Sequence, residues 1–173
     1  KLLRTPLPIF GMVIAHFGIA VSVFGMAAES GFSSETLTAL APGESAEVAG
    51  WQVKLDDVNP VVGDNWVAVE GQLHAVKNGN AFVLRPQSRQ FFKPEMQTSE
   101  AALLTRWNGQ LYAVIAQPDQ EGDGRWQVRL WWKPFVPFIW YGGLLIAVGG
   151  IIALLGRMFR RAKKPAKSQW QTS

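Results

Sequence analysis

From Leu7 to Ala28 nearly every position is apolar, and Phe135 to Leu155 repeats the pattern; neither stretch holds Asp, Glu, Lys or Arg. A helix rises about 1.5 Å per residue, so each run is long enough for the roughly 30 Å of a bilayer core. Two transmembrane helices are therefore predicted, at 7–28 and 135–156. Between them the period changes to two. "SAEVAGWQVKLDDV" alternates polar and apolar residues, with Asp56–Asp57 and Asn59–Pro60 as turn chemistry. "NWVAVEGQLHAV" and "NAFVLRP" flank Lys77-Asn78-Gly79, and an Asn-Gly pair accepts the positive φ of a tight hairpin turn. "GQLYAVIAQP" and "GRWQVRLWWKP" form a second pair joined through "DQEGDG", and "TSEAALL" alone invites a short helix. The prediction is a membrane protein of mixed α and β class. Two transmembrane helices flank an extracytoplasmic antiparallel β domain at 29–134, of roughly five or six strands.

Charge orients this arrangement. All 13 acidic residues fall between Glu29 and Asp123, whereas Lys1 and Arg4 precede the first helix and Arg157, Arg160, Arg161, Lys163, Lys164 and Lys167 follow the second. The middle segment thus holds nine basic and thirteen acidic groups, and the overall +4 comes from the two ends. By the positive-inside rule the N-terminal end (1–6) and the basic tail (157–173) are cytoplasmic and the β domain lies outside. The basic tail is an orientation signal that also suits anionic lipid, and nucleic-acid binding is the wrong reading of the pI. With no cysteine there is no disulfide framework. A secretory signal peptide is disfavoured, because the first apolar run exceeds the usual hydrophobic region and carries His16 at its centre. The opening Lys, in place of Met, is expected of a segment cut from a longer chain.

Within the first helix Gly11, Ala15, Gly18, Ser22 and Gly25 recur at spacings of four and three, a stripe of small side chains suited to close helix packing. Gly142, Gly149 and Gly156 recur at sevens in the second, with Gly143 and Gly150 beside them. These stripes fit packing against each other or against helices of another segment. His16 lies about 140° around from the first stripe, on a face shared with Ile9, Met12, Ile19, Ala20 and Val23. An imidazole in hydrocarbon needs a partner, since an unsatisfied buried polar group costs several kcal/mol. A hydrogen bond from another helix, a proton path and a metal all satisfy that need; neutral imidazole is a good haem-iron ligand.

A resemblance narrows the choice. "GMVIAHFGIAVSVFG" is similar to the penultimate membrane helix of the CcmF/NrfE-like family, haem lyase subunits of the bacterial cytochrome c maturation system. "PGESAEVAGWQVKLDDV" with "GDNW" resembles the family's Gly-Glu/Asp-Ser start and Gly-Pro-Asn-Tyr/Trp segment, with Asp64 standing where the family has Pro. "LRPQSRQFFKPEMQTSEAALL" then "QLYAVI" resembles its Pro/Ala-Glu-Lys-Arg and Met-Thr-Glu-Ala-Ala-Ile runs, with Gln87 and Ser88 in place of Glu-Lys before Arg89. "RWQVRLWWKPFVPFIWYGGLLIAVGG" is close to its Trp-x-Val-Arg…Lys-Pro-Phe-Val…Ile-Trp signature. The resemblance covers nearly the whole chain in order and implies a C-terminal piece, in the bacterial inner membrane, with a periplasmic β domain.

The resemblance also implies a chemistry. His16 matches one of two membrane histidines that bind a resident b-type haem, the second lying on a helix outside this sequence. That haem is thought to reduce the haem being attached to the apocytochrome c Cys-x-x-Cys-His motif, with quinol as electron source. Bis-histidine ligation favours electron transfer, and the ring nitrogen away from iron is expected to find a hydrogen-bond acceptor. Other haem lyase segments or CcmH/CcmI-like subunits, a CcmE-like haem chaperone and apocytochrome c are the implied partners. Asn65, Arg89 and Glu100 sit in the family-like runs as candidate partner contacts, against a surface or structural role. The chain alone is not expected to be catalytically complete.

The remaining residues carry less. His74 has no neighbouring His or Cys and reads as an exposed strand histidine. Trp126, Trp131, Trp132, Trp140 and Tyr141 read as aromatic anchors where the chain re-enters the membrane. Ser33, Ser34 and Ser45 lack a histidine–carboxylate context, and no glycine loop resembles a phosphate site. Two rival functions stand beside the haem lyase: a cofactor-free membrane-anchored periplasmic docking domain, and a quinone-linked oxidoreductase or transporter subunit using His16 for protons.

Overall fold

The computed structural model describes residues 6–116 and 124–162. Lys1 and Arg4, the "DQEGDG" connection up to Asp123, and the side-chain charges from Arg160 onward lie outside the described residues. The chain divides into two compact units, a helix pair and a β domain spanning Ala27–Pro137.

The helix pair consists of α1 (Leu7–Phe32) and α2 (Val136–Ala162), both long and apolar enough to cross a membrane. Each begins with a proline in its first turn, Pro8 and Pro137, where the missing N–H would have no intrahelical acceptor anyway. The glycine stripes meet each other, antiparallel. A Cβ built on Gly11 would lie 2.5 Å from the backbone of both Gly149 and Ala153, and one on Gly18 would lie 2.7 Å from the Gly142 carbonyl. Gly156 faces Leu7 and Pro8, whereas Gly143 and Gly150 face open space. Ser22 closes the seam polar-wise, its hydroxyl donating to the Ile139 carbonyl at 3.1 Å.

The second unit is an antiparallel sandwich of ten strands among the described residues, not five or six. In chain order they are β1 (Ser34–Leu40), β2 (Ser45–Val48), β3 (Trp51–Val62), β4 (Trp66–Lys77), β5 (Asn80–Leu84), β6 (Gln87–Phe92), β7 (Glu95–Glu100), β8 (Ala102–Arg106), β9 (Gly109–Ala116) and β10 (Trp126–Pro134). One sheet runs β1-β10-β9-β8; the other runs β2-β3-β4-β6-β7, with β5 also paired to β4. Alternation aims Val53, Leu55, Leu73 and Ala75 of one sheet, and Leu111, Ala113, Ile115, Val128 and Leu130 of the other, into a shared core with no exposed surface.

Three local expectations change. Asp56–Asp57 and Asn59–Pro60 do not turn the chain; β3 runs straight through them, with a bulge between Leu55 and Asp57 against β4. Pro60 is tolerated because β2 pairs β3 only as far as Lys54, leaving the edge beyond it without a neighbour that needs its N–H. "TSEAALL" forms no helix: Glu95–Glu100 pairs with β6 and Ala102–Arg106 with β9, so ladder pairing on both sides of Ala101 overrides helix propensity. The expected hairpin is present, with both Asn78 and Gly79 at positive φ.

Candidate functional site

His16 sits in α1 opposite the glycine seam, and α2 leaves it exposed. Its Nδ1–H donates to the Met12 carbonyl at 2.8 Å, one helical turn back. A carbonyl can only accept, so in the neutral ring Nε2 keeps its lone pair and points away from the backbone contact. Ile9, Met12, Ile19 and Val23 are each about half exposed, so they make an apolar apron around that nitrogen which the other described residues do not cover. Helical spacing alone produces this arrangement: the residues packing on α2 and the residues around His16 occupy opposite faces. The donor set fits a haem: one free imidazole nitrogen, fixed in tautomer, on a hydrocarbon surface. Among the described residues no group of three His, Cys, Asp or Glu side chains gathers for any other metal.

The loop candidates are tied to their own fold. Asn65 Nδ2 donates to the Lys93 carbonyl at 2.7 Å, while its carbonyl accepts from the Phe92 N–H, so it clasps the β6–β7 turn. Arg89 stacks its guanidinium on Trp66 at 4.4 Å, donates to Gln87 Oε1 and pairs with Glu100 at 3.5 Å. Arg89 and Glu100 therefore meet each other across β6 and β7.

The tryptophans divide. Trp140 is 74% exposed and Tyr141 46%, both on α2, whereas Trp132 is only 9% exposed and packs on Trp51 in the sandwich core. Trp126 starts β10 opposite Leu40 and packs against the same core. The aromatic residues expected to act together as anchors therefore differ: strand alternation turns Trp132 inward, and Trp126 stands at the far end of the nine-residue β10 from the start of α2.

His74 is more than an exposed strand residue. It lies opposite Lys54 on β4, and its Nδ1 contacts Asp56, which also pairs with Lys54 at 3.2 Å. The hydrogen bond from His74, then that from Lys54, hold the Asp56 carboxyl below the ordinary carboxylate range. The signal was present, since Lys54 and Asp56 share one strand face, but reading Asp56–Asp57 as a turn hid it.

A profile of the CcmF C-terminal beta-sandwich matches residues 31–134, the ten-strand unit. The chain belongs to the CcmF family. The cytochrome c-type biogenesis protein CcmF of Pseudomonas fluorescens is 38% identical over 152 residues, 87% of this chain and 23% of that protein. The CcmF of Escherichia coli strain K12 is 31% identical over 166 residues, 95% of this chain and 25% of its own length. A solved cytochrome c heme lyase CcmF superposes with a TM-score of 0.69 at 23% identity, over 83% of this chain and 24% of that one, a likeness of fold. This CcmF-family chain therefore spans about a quarter of the length of the curated relatives it matches, and includes both long helices beside the sandwich.

Proposed function

We propose that this chain is the C-terminal portion of a cytochrome c haem lyase, in which His16 supplies one axial ligand to a resident b-type haem. The observation that carries the reading is the His16 ring itself: Nδ1 engaged by Met12, Nε2 free, on an apolar face turned away from the partner helix. Family membership gives that ring its context. A bound haem would supply one-electron transfer, here toward the iron of the haem being joined to apocytochrome c. His16 would hold the iron through Nε2, and Met12 would fix the tautomer and the ring plane. Ile9, Met12, Ile19 and Val23 would exclude water from the macrocycle edge, which lowers the local dielectric around the ligand. The second axial ligand lies outside this chain in this proposal.

The same reading has both ends of the chain in the cytoplasm and the sandwich in the periplasm of the bacterial inner membrane. Its partners are the remaining lyase segments, CcmH/CcmI-like subunits, a CcmE-like haem chaperone, apocytochrome c and quinol. The test is an absorption spectrum of the assembled subunit, wild type against His16→Ala at matched protein. Reduced b-type bands that vanish or shift in the variant support ligation. Identical bands in both remove His16 from the site, and a haem-free wild type turns the reading toward a cofactor-free docking domain.

A further inference from the structure

The sandwich domain spends its charges carefully. Lys54, Arg85, Arg89, Arg125, Arg129 and Lys133 each pair with a carboxylate. Lys77, Lys93 and Arg106 have no carboxylate partner among the described residues. Two of those three, Lys77 and Arg106, line one cavity of about 180 Å³ together with Trp51, Phe82, Trp107 and Trp132. No acidic side chain among the described residues lines it.

Aromatic faces carry the two cations. Lys77 Nζ lies 5.5 Å from the Trp51 ring and 5.1 Å from Trp132, and donates one hydrogen bond to the Ala49 carbonyl. An ammonium has three donors, so two are left without an acceptor among the described residues. Arg106 sits 5.0 Å over Phe82 with its guanidinium donors unclaimed by any carboxylate among the described residues. Trp51 is 3% exposed and its Nε1–H has no acceptor there either, so one lining residue carries an unspent donor. Cation–π contact holds a positive charge in place without neutralising it. The outcome is a fixed pair of positive charges in an aromatic frame.

The position of the cavity selects its ligand. It is built where the β2–β3, β4–β5 and β8–β9 turns converge, next to Asn108, whose carbonyl accepts the N–H of Phe135 immediately before α2. Trp132 pairs with Ser34, which stands two residues after Phe32, the last residue of α1. Within the sandwich unit this is the end that carries the chain into both long helices. Trp107 at that end is 69% exposed. Tryptophan with Lys and Arg is the composition that favours the headgroup zone of a bilayer.

We propose that this cavity binds the phosphate of an anionic membrane phospholipid headgroup, held by Lys77 and Arg106 over the Trp51, Phe82 and Trp132 rings. The inference rests on the reading of α1 and α2 as membrane spans. Its ligand chemistry is a phosphate, and the lipid, not free phosphate, is the source.

The test uses the full chain in detergent, with native mass spectrometry reading binding of phosphatidylglycerol against phosphatidylcholine. The expected result is a preference for phosphatidylglycerol of roughly thirtyfold, given two basic groups near the surface. It should be lost in the Lys77→Gln/Arg106→Gln double variant, restored by Lys77→Arg/Arg106→Lys, and kept in Lys93→Gln, which removes the third unpaired cation from a turn outside the cavity. Equal preference in wild type and double variant, or an equal loss in Lys93→Gln, overturns the proposal. Displacement of the lipid by inorganic phosphate reassigns the site to the free ion, and displacement by an acidic peptide reassigns it to protein carboxylates; either overturns the lipid assignment. A chain stripped from membranes by alkaline wash overturns the spanning reading as well, whereas a chain that stays embedded without lipid preference overturns this inference alone.

Discussion

Gly149 and Gly150 are neighbours in α2, yet the same substitution should affect stability differently at the two sites. A Cβ on Gly149 would lie 2.5 Å from the Ala15 nitrogen and the Gly11 carbonyl oxygen, both backbone atoms that cannot swing aside. Bringing those contacts to about 3.5 Å, where dispersion is favourable, requires the helices to part by about 1 Å. A Cβ on Gly150 meets nothing within 4 Å. Overpacking of this kind costs about 1 to 3 kcal/mol. Exchange of Gly for Ala in a helix returns about 1 kcal/mol at either position. The difference between the two variants cancels that shared gain and isolates the packing term. Gly149→Ala should fall below Gly150→Ala by about 1 to 3 kcal/mol, with Gly150→Ala at or above wild type.

The absence of native cysteine makes the assay direct. Dyes on Phe17→Cys and Leu144→Cys, both exposed positions on the two helices, report helix association by energy transfer as SDS is titrated into lipid–detergent bicelles. Gly149→Ala should dissociate at lower SDS than Gly150→Ala. Matching transitions for the two variants would refute the seam. So would a reversed order, because backbone atoms crowd a Cβ at Gly149 and nothing meets one at Gly150.

Two further outcomes concern the sandwich. Asp56 has a folded-state pKa below its ordinary 3.8, so its contacts with His74 and Lys54 stabilise the fold above that value and are lost as pH falls through the lower folded one. An acid titration followed by tryptophan fluorescence should therefore show a shallower loss of stability below pH 3.8 in Asp56→Asn than in wild type; parallel curves would remove Asp56 from the acid response. Leu73 is fully buried between the sheets, and Leu73→Ala should lower stability by about 2 to 5 kcal/mol in urea unfolding, with a shift within 0.5 kcal/mol of wild type contradicting the core assignment.

The parts legible in the sequence are those governed by one-dimensional periodicity. A long, mostly apolar run without Asp, Glu, Lys or Arg, a spacing of seven between glycines and an Asn-Gly pair each carry their structural meaning locally, and the helices, the seam and the β4–β5 hairpin follow from them. What the sequence hid depends on which strand lies beside which. Nothing local says that β2 stops pairing at Lys54, so the permission for Pro60 to sit in a strand is invisible, and Asp-Asp-Val-Asn-Pro reads as a turn. The same error concealed the Asp56–His74 contact, because a residue assigned to a turn is not sought on a ladder. Trp132 shows the converse. Its position beside Trp131 and ahead of a membrane helix suggested an anchor, yet period two points one of any adjacent pair inward, and the inward one stacks on Trp51. Once inward, it brings Lys77 to its face, and the cationic end of the sandwich exists only because β3, β4, β8 and β10 converge there from four distant stretches of chain. His16 lies at the opposite extreme: its ring is oriented by the Met12 carbonyl, four residues away, so the direction in which Nε2 points is written into α1 alone.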